Sequence, residues 1–163
     1  MTELVPPADL IRTLSTTVVI TSVVAVEVRR LRVSAAAYAV QAILLVVLLL
    51  SYARVNPALY WWAGTAFLTK AVLTPWFLFR YIGKTQEMEV PPLIGFGPSV
   101  VVAGGLMILF FRLTHGQVDL MAPSSLAQEE IFRTNLAVAS TVFVLGIYAI
   151  LSRRDAVKTV IGL

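Results

Sequence analysis

The chain has 163 residues, of which 58% are hydrophobic and only 13% charged, with a mean hydropathy of +0.85. That balance excludes an ordinary water-soluble domain and describes a protein whose solvent is largely lipid. The net charge of +4 and pI near 9.8 do not point to nucleic acid, because the basic residues are gathered into turns between apolar runs. The absence of cysteine excludes a disulfide framework, a thiol nucleophile and a thiolate-held cluster in this chain.

Taken in order, runs of about twenty apolar residues match the thickness of a bilayer core and predict spans near 10–28, 33–52, 58–82, 98–113 and 131–151. A sixth begins near residue 156 and is cut off at Leu163. The runs are continuous rather than alternating, so they read as helices and not barrel strands. The expected fold is all-α: one integral membrane domain over 1–163, a polytopic transmembrane bundle of about five spans plus the start of a sixth. The first nine residues carry Glu3 and Asp9 but no Lys or Arg, unlike a cleavable signal peptide, so the first span is expected to be retained.

Arg29, Arg30 and Arg32 fill the first turn, Arg80 and Lys84 follow span three, and Arg153, Arg154 and Lys158 surround the turn after span five. The opposite side holds only Arg12, Arg54, Arg112 and Arg133. The positive-inside bias predicts an N-terminus outside and the three basic turns in the cytoplasm. The longest cytoplasmic connection, 83–97, contains Pro91-Pro92, Gly95 and Gly97 and is expected to be irregular. On the outer side, Ser124 or Ser125 is expected to cap a helix opening at Leu126, with Glu129 and Glu130 near its positive end. His115, the only histidine, reads as a solvated loop residue.

Lys70 lies near the middle of the third run, in the string Leu68-Thr69-Lys70-Ala71-Val72-Leu73-Thr74-Pro75-Trp76. An ammonium at that depth costs several kcal/mol unless it faces protein, a partner or water. Pro75 has no N–H for the carbonyl of Ala71, so a helix break opens beside the charge. Together they suggest an ion or proton path; snorkelling of the lysine to an interface is the competing reading. Gln41, with Tyr38 three residues earlier on the same helix face, either orders water beside Lys70 or serves as helix–helix glue. Glu27, at the end of span one, reads as an interfacial carboxylate paired with Arg29 or Arg30, or as a proton carrier. Asp155 reads as a cap paired with Lys158. The hydroxyls of span one, Ala35-Ala36-Ala37 and Gly104-Gly105 read as packing surfaces. No serine–histidine–aspartate set, glycine-rich phosphate loop, metal-ligand cluster or usefully spaced carboxylate pair occurs, so no catalytic activity of the chain alone is expected.

The stretch Leu151-Ser152-Arg153-Arg154-Asp155-Ala156-Val157-Lys158-Thr159-Val160-Ile161-Gly162-Leu163 resembles the first turn of the K-type small membrane subunit of complex I, and of the C-type subunit of cation/proton antiporters. Arg30-Leu31-Arg32, then Tyr38 and Gln41, then Lys70-Ala71 and Pro75-Trp76 resemble, in that order, the hydrogenase-4 component E family. That resemblance covers nearly the whole chain. It implies a membrane-arm subunit of a group 4 NiFe-hydrogenase or related complex in a prokaryotic cytoplasmic membrane. Its partners would be other membrane subunits, including antiporter-like ones, and the lipid bilayer. It implies no cofactor in this chain, with the NiFe centre and iron–sulfur clusters in partner subunits. The family continues past the Ile161-Gly162-Leu163 stretch through a helix bearing an intramembrane glutamate, so the resemblance implies a truncated C-terminus. Gln41 stands where a comparable helix would carry a carboxylate, which implies a bridging role rather than proton exchange. An antiporter assembly and a structural membrane spacer are the alternative functions.

Overall fold

The computed structural model describes residues 7–84, 95–123, 129–152 and 160–162. Within them every regular element is helical: α1 (Ala8–Glu27), α2 (Leu31–Ala53), α3 (Ala58–Ala66), a π-helical segment (Phe67–Leu73), α4 (Thr74–Ile82), α5 (Phe96–Gly116), the short α6 (Val118–Met121) and α7 (Glu130–Ser152). Four of these, α1, α2, α5 and α7, are long and apolar enough to cross a membrane. The residues of the expected third span form α3, the π segment and α4 in unbroken succession. The capping serines, Arg153, Arg154, Asp155 and Lys158 lie outside the described residues.

Local chemistry sets the helix ends. Pro7 precedes α1 and Pro57 precedes α3, positions where a missing N–H removes no helical bond. Asn56 Oδ1 accepts the Ala58 N–H at 3.1 Å, satisfying one of the open donors of α3. Gly95, at φ 83°, supplies the left-handed entry to α5, a conformation that side chains with a Cβ resist.

The bundle is an open row. The 58–82 rod packs on α2, α2 packs on α1, α1 on α7, and α7 on α5, with a lesser α1–α5 contact. Helices in lipid gain little by hiding apolar area from one another, so small residues and hydrogen bonds set the contacts. Accordingly Ala25, Ala35, Ala103, Ala137 and Ala149 are among the most buried residues. Ser34 donates to the Ala25 carbonyl across the α1–α2 turn.

At the Arg29–Arg32 end, Leu31, Ile82 and Ile161 close an apolar cluster with Ala25, Ala35, Tyr38 and Leu78. The helical stretch at 160–162 thus returns between α7 and the α1–α2–α4 side. Its closest approach is Gly162 to Gly146: a Cβ on Gly146 would lie 2.4 Å from the Gly162 carbonyl oxygen. The expected glycine surface is different. A Cβ at Gly104 or Gly105 meets nothing within 4 Å, and it is Ala103, 2% exposed, that meets α7.

His115 is also not a loop residue. It ends α5 with its ring stacked on Phe111 (5.7 Å) and Nε2 3.3 Å from Glu130 Oε1. Arg133 donates to its carbonyl, tying α5 to α7.

Candidate functional site

Tyr38, Gln41 and Lys70, far apart in sequence, line one cleft of about 300 Å³ bounded by α1, α2, α7 and the π segment. Asn135 of α7 and Ser22 of α1 complete its polar lining, and the remaining wall is aliphatic. Among the described residues no aspartate or glutamate lines it. Lys70 also borders a second cleft of about 380 Å³, between α2 and the outer side of the rod, with Trp62, Thr65 and Thr69. The lysine therefore divides two cavities, and its side chain is exposed within this chain.

Lys70 is at the midpoint of Ala58–Ile82. At about 1.5 Å per residue it lies roughly 18 Å from either end of the rod. That is well beyond the reach of a lysine stem, which disfavours snorkelling.

The helix break is broader than Pro75 alone implies. Hydrogen bonds running five residues back occupy 67–73, and the Thr74 N–H still bonds the Thr69 carbonyl. The next donor position is Pro75, which has none, so the ladder lacks a bond one residue on, at the junction with α4. Thr74 Oγ1 donates to the Thr69 carbonyl as well, at 2.8 Å. Thr74 is also the side-chain hydrogen-bond partner of Tyr38. A buried α2 side chain is thereby wired to the irregular backbone that carries Lys70.

Toward the Arg54 end the cleft closes on a polar knot. Ser15 of α1 donates to Asn135 Oδ1, Asn135 Nδ2 donates to the Tyr52 hydroxyl, and the Phe132 ring lies 5.4 Å from that of Tyr52. Asn135 is shared with a cavity of about 10 Å³ lined by Ser15, Arg12 and Glu130, room for roughly one water. Sequence reasoning missed this residue. Its signal was the same as that of Gln41, an amide inside an apolar run, but nearer a helix end.

Glu27 does not join the cleft. It is 5% exposed, and Ser99 Oγ of α5 donates to its Oε1 at 3.1 Å. Ser99 Oγ is also 2.7 Å from the Tyr148 hydroxyl of α7. Neither Ser99 nor Tyr148 stands out in sequence, because a serine after proline and a tyrosine near a span end are unremarkable until three helices meet. Among the described residues no three His, Asp or Glu side chains come together to hold a metal.

The architecture is that of a polytopic helical membrane protein with polar groups collected inside it. The chain is 26% identical over 156 residues to hydrogenase-4 component E of Escherichia coli strain K12. The same values hold for that component in Escherichia coli O157:H7 and Shigella flexneri. Each alignment covers 94% of this chain and 69% of the relative. No family model and no solved structure matches the chain. At this distance the likeness supports a family related to hydrogenase-4 component E.

Proposed function

We propose that this chain is a non-catalytic membrane-arm subunit of a group 4 NiFe-hydrogenase or a related complex I-like assembly. Its central cleft lends polar groups to a path for protons or sodium ions, driven by electron transfer in partner subunits. One observation carries the reading: Tyr38, Gln41 and, far from them in sequence, Lys70 line one cleft beside a π segment. Irregular helix of this kind at membrane depth is tolerated where it lines a cavity or is covered by protein. The similarity to hydrogenase-4 component E supplies the kind of assembly. The redox groups belong to partners in this reading, since a chain without cysteine offers no thiolates for an iron–sulfur cluster or a NiFe centre.

Exposure of Lys70 supports a partner as well. Left to lipid, a lysine at the bilayer centre costs about 3 kcal/mol or more. The same rod exposes Trp61, Trp62, Leu68 and Phe77. A neighbouring membrane subunit, antiporter-like in this reading, covers that face and supplies a counter-charge. The chain sits in a prokaryotic cytoplasmic membrane with five spans and its N-terminus outside.

The test is ion uptake into vesicles carrying the whole complex, normalised to its electron-transfer rate. Lys70→Met keeps the volume and removes the charge, so assembly survives while coupling falls. Lys70→Arg keeps a charge that cannot be given up and also lowers coupling. Full coupling in Lys70→Met, with the subunit present, assigns the chain the part of a structural spacer.

A further inference from the structure

The three groups Glu27, Ser99 and Tyr148 form a second polar site, separate from the cleft. All are buried: 5%, 0% and 8% exposed. Each comes from a different helix, and each sits near the helix end on the Arg29–Arg32 side. Between this site and the cleft stand Val26 and Leu145, packed with Tyr148, Ala103 and Ala149 in one apolar cluster; Val26 and Leu145 also line the cleft.

The hydrogen-bond geometry accommodates two states. With Glu27 ionised, the Tyr148 hydroxyl donates to Ser99 Oγ (2.7 Å) and Ser99 donates to Glu27 Oε1 (3.1 Å). With Glu27 protonated, the same contacts run in reverse: Glu27 donates to Ser99 Oγ and Ser99 donates to the Tyr148 oxygen. The displaced tyrosine proton then turns to the Ser99 carbonyl, 3.2 Å away. Every hydroxyl proton has an acceptor in both states, which a buried polar group requires. One proton is added from water and none is lost, so the step balances.

The surrounding field is divided. Glu27 closes α1 and Tyr148 lies one turn from the end of α7, both at negative helix ends, whereas Ser99 belongs to the first turn of α5, a positive end. The charged groups near it on the adjoining turn are Arg29, whose guanidinium lies 5.4 Å over the Phe96 ring, and Arg30. The first turn of α5 carries no acid and the last turn of α7 no base. Arg153 and Arg154, which follow α7, lie outside the described residues.

We infer that Glu27 is a reversible protonation site whose hydrogen-bond chain through Ser99 reports its state to Tyr148, linking α1, α5 and α7. The inference goes beyond the coupling role proposed above and does not depend on it, because its readout involves no transport.

The experiment is infrared difference spectroscopy of the full chain in lipid vesicles, stepped from alkaline to acid. Acidification is expected to raise a protonated-carboxyl stretch that exchanges slowly in deuterated water and is absent in Glu27→Gln. A tyrosine ring mode shifts with it. Ser99→Ala, nearly isosteric, moves the carboxyl stretch to higher frequency and uncouples the tyrosine mode, while Tyr148→Phe removes that mode and keeps the carboxyl band. Identical pH-difference spectra for Glu27→Gln and the parent overturn the inference, since Glu27 then holds one state. A Glu27 band with an unmoved tyrosine mode, or one unaffected by Ser99→Ala, also overturns the proposed chain.

Discussion

Gly146→Ala offers the sharpest test of how the 160–162 stretch is held. In a helix interior, replacing glycine by alanine gains about 1 kcal/mol when the new methyl has room. At Gly146 it has none, because the Cβ would lie 2.4 Å from the Gly162 carbonyl oxygen, about an ångström inside ordinary contact. Gly162 cannot swing freely away, since Ile161 beside it is 7% exposed in the cluster with Leu31 and Ile82. Forcing one methyl into such a packed contact costs about 1–3 kcal/mol, so the net effect is a loss of roughly 0–2 kcal/mol. Gly104→Ala is the control, as its Cβ meets nothing within 4 Å; there the helix gain stands alone, about 0.5–1 kcal/mol. The two variants, identical in chemistry, are therefore expected to differ by about 1–3 kcal/mol. Reversible unfolding of the full chain in mixed detergent micelles, followed by tryptophan fluorescence, measures that difference. Equal stability of Gly146→Ala and Gly104→Ala would refute the reasoning, because it would mean that the 160–162 stretch does not press on α7.

Other perturbations read the polar interior and the topology. Asn135→Leu deprives Ser15 and Tyr52 of their shared partner and is expected to lower stability by about 1–3 kcal/mol. Tyr52→Phe, which removes only one end of the knot, should cost less in the same unfolding assay. For topology, a single cysteine replacing Arg30 is expected to react with a membrane-impermeant maleimide only after the membrane is opened, and one at Arg54 without opening. The chain has no native cysteine to interfere, and labelling of the Arg30 position from outside intact cells would reverse the assignment.

The long helices were legible because a continuous apolar run of twenty residues has few structural solutions in lipid. Each of the four long helices agrees with its expected span to within a few residues. That Tyr38 and Gln41 share a helix face was legible from their spacing, whereas whether they order water beside Lys70 or serve as helix–helix glue was left open by the sequence. Pairings between helices far apart in sequence were not legible. Nothing in the string around Asn135 names Ser15 or Tyr52 as its partners, and nothing around Glu27 names Ser99, 72 residues away. Gly104-Gly105 looked like a close-approach surface because glycine permits one, yet permission is not contact, and the contact falls at Gly146 and Gly162. The π register was legible only in part: proline announces a missing donor, while nothing in the string announces the lengthened ladder over 67–73.

The polar groups of the bundle are graded along its length. The knot of Ser15, Asn135 and Tyr52 adjoins the cleft, and Asn135 belongs to both the cleft and the small cavity beside Arg12 and Glu130. At the other end, Glu27, Ser99 and Tyr148 are separated from the same cleft by Val26 and Leu145. In the proposed coupling role, a proton held among Asn135, Gln41, Tyr38 and Lys70 of the cleft meets an aliphatic layer before Glu27. Water does not occupy such a layer at rest, because each molecule needs two or more polar partners. In that proposed role, transfer between the two sites requires α1 and α7 to part at Val26 and Leu145, or a route through a neighbouring subunit on the open face of the rod. The second route demands less of this chain. Lys70 is already exposed, bordering both clefts, beside a π segment that ends on the missing donor of Pro75, whereas the α1–α7 contact is locked by Leu145, 1% exposed, and Ala149, 0% exposed. In the proposed coupling role, the open edge of the row, more than its packed centre, is thus where a partner would complete a path across the membrane.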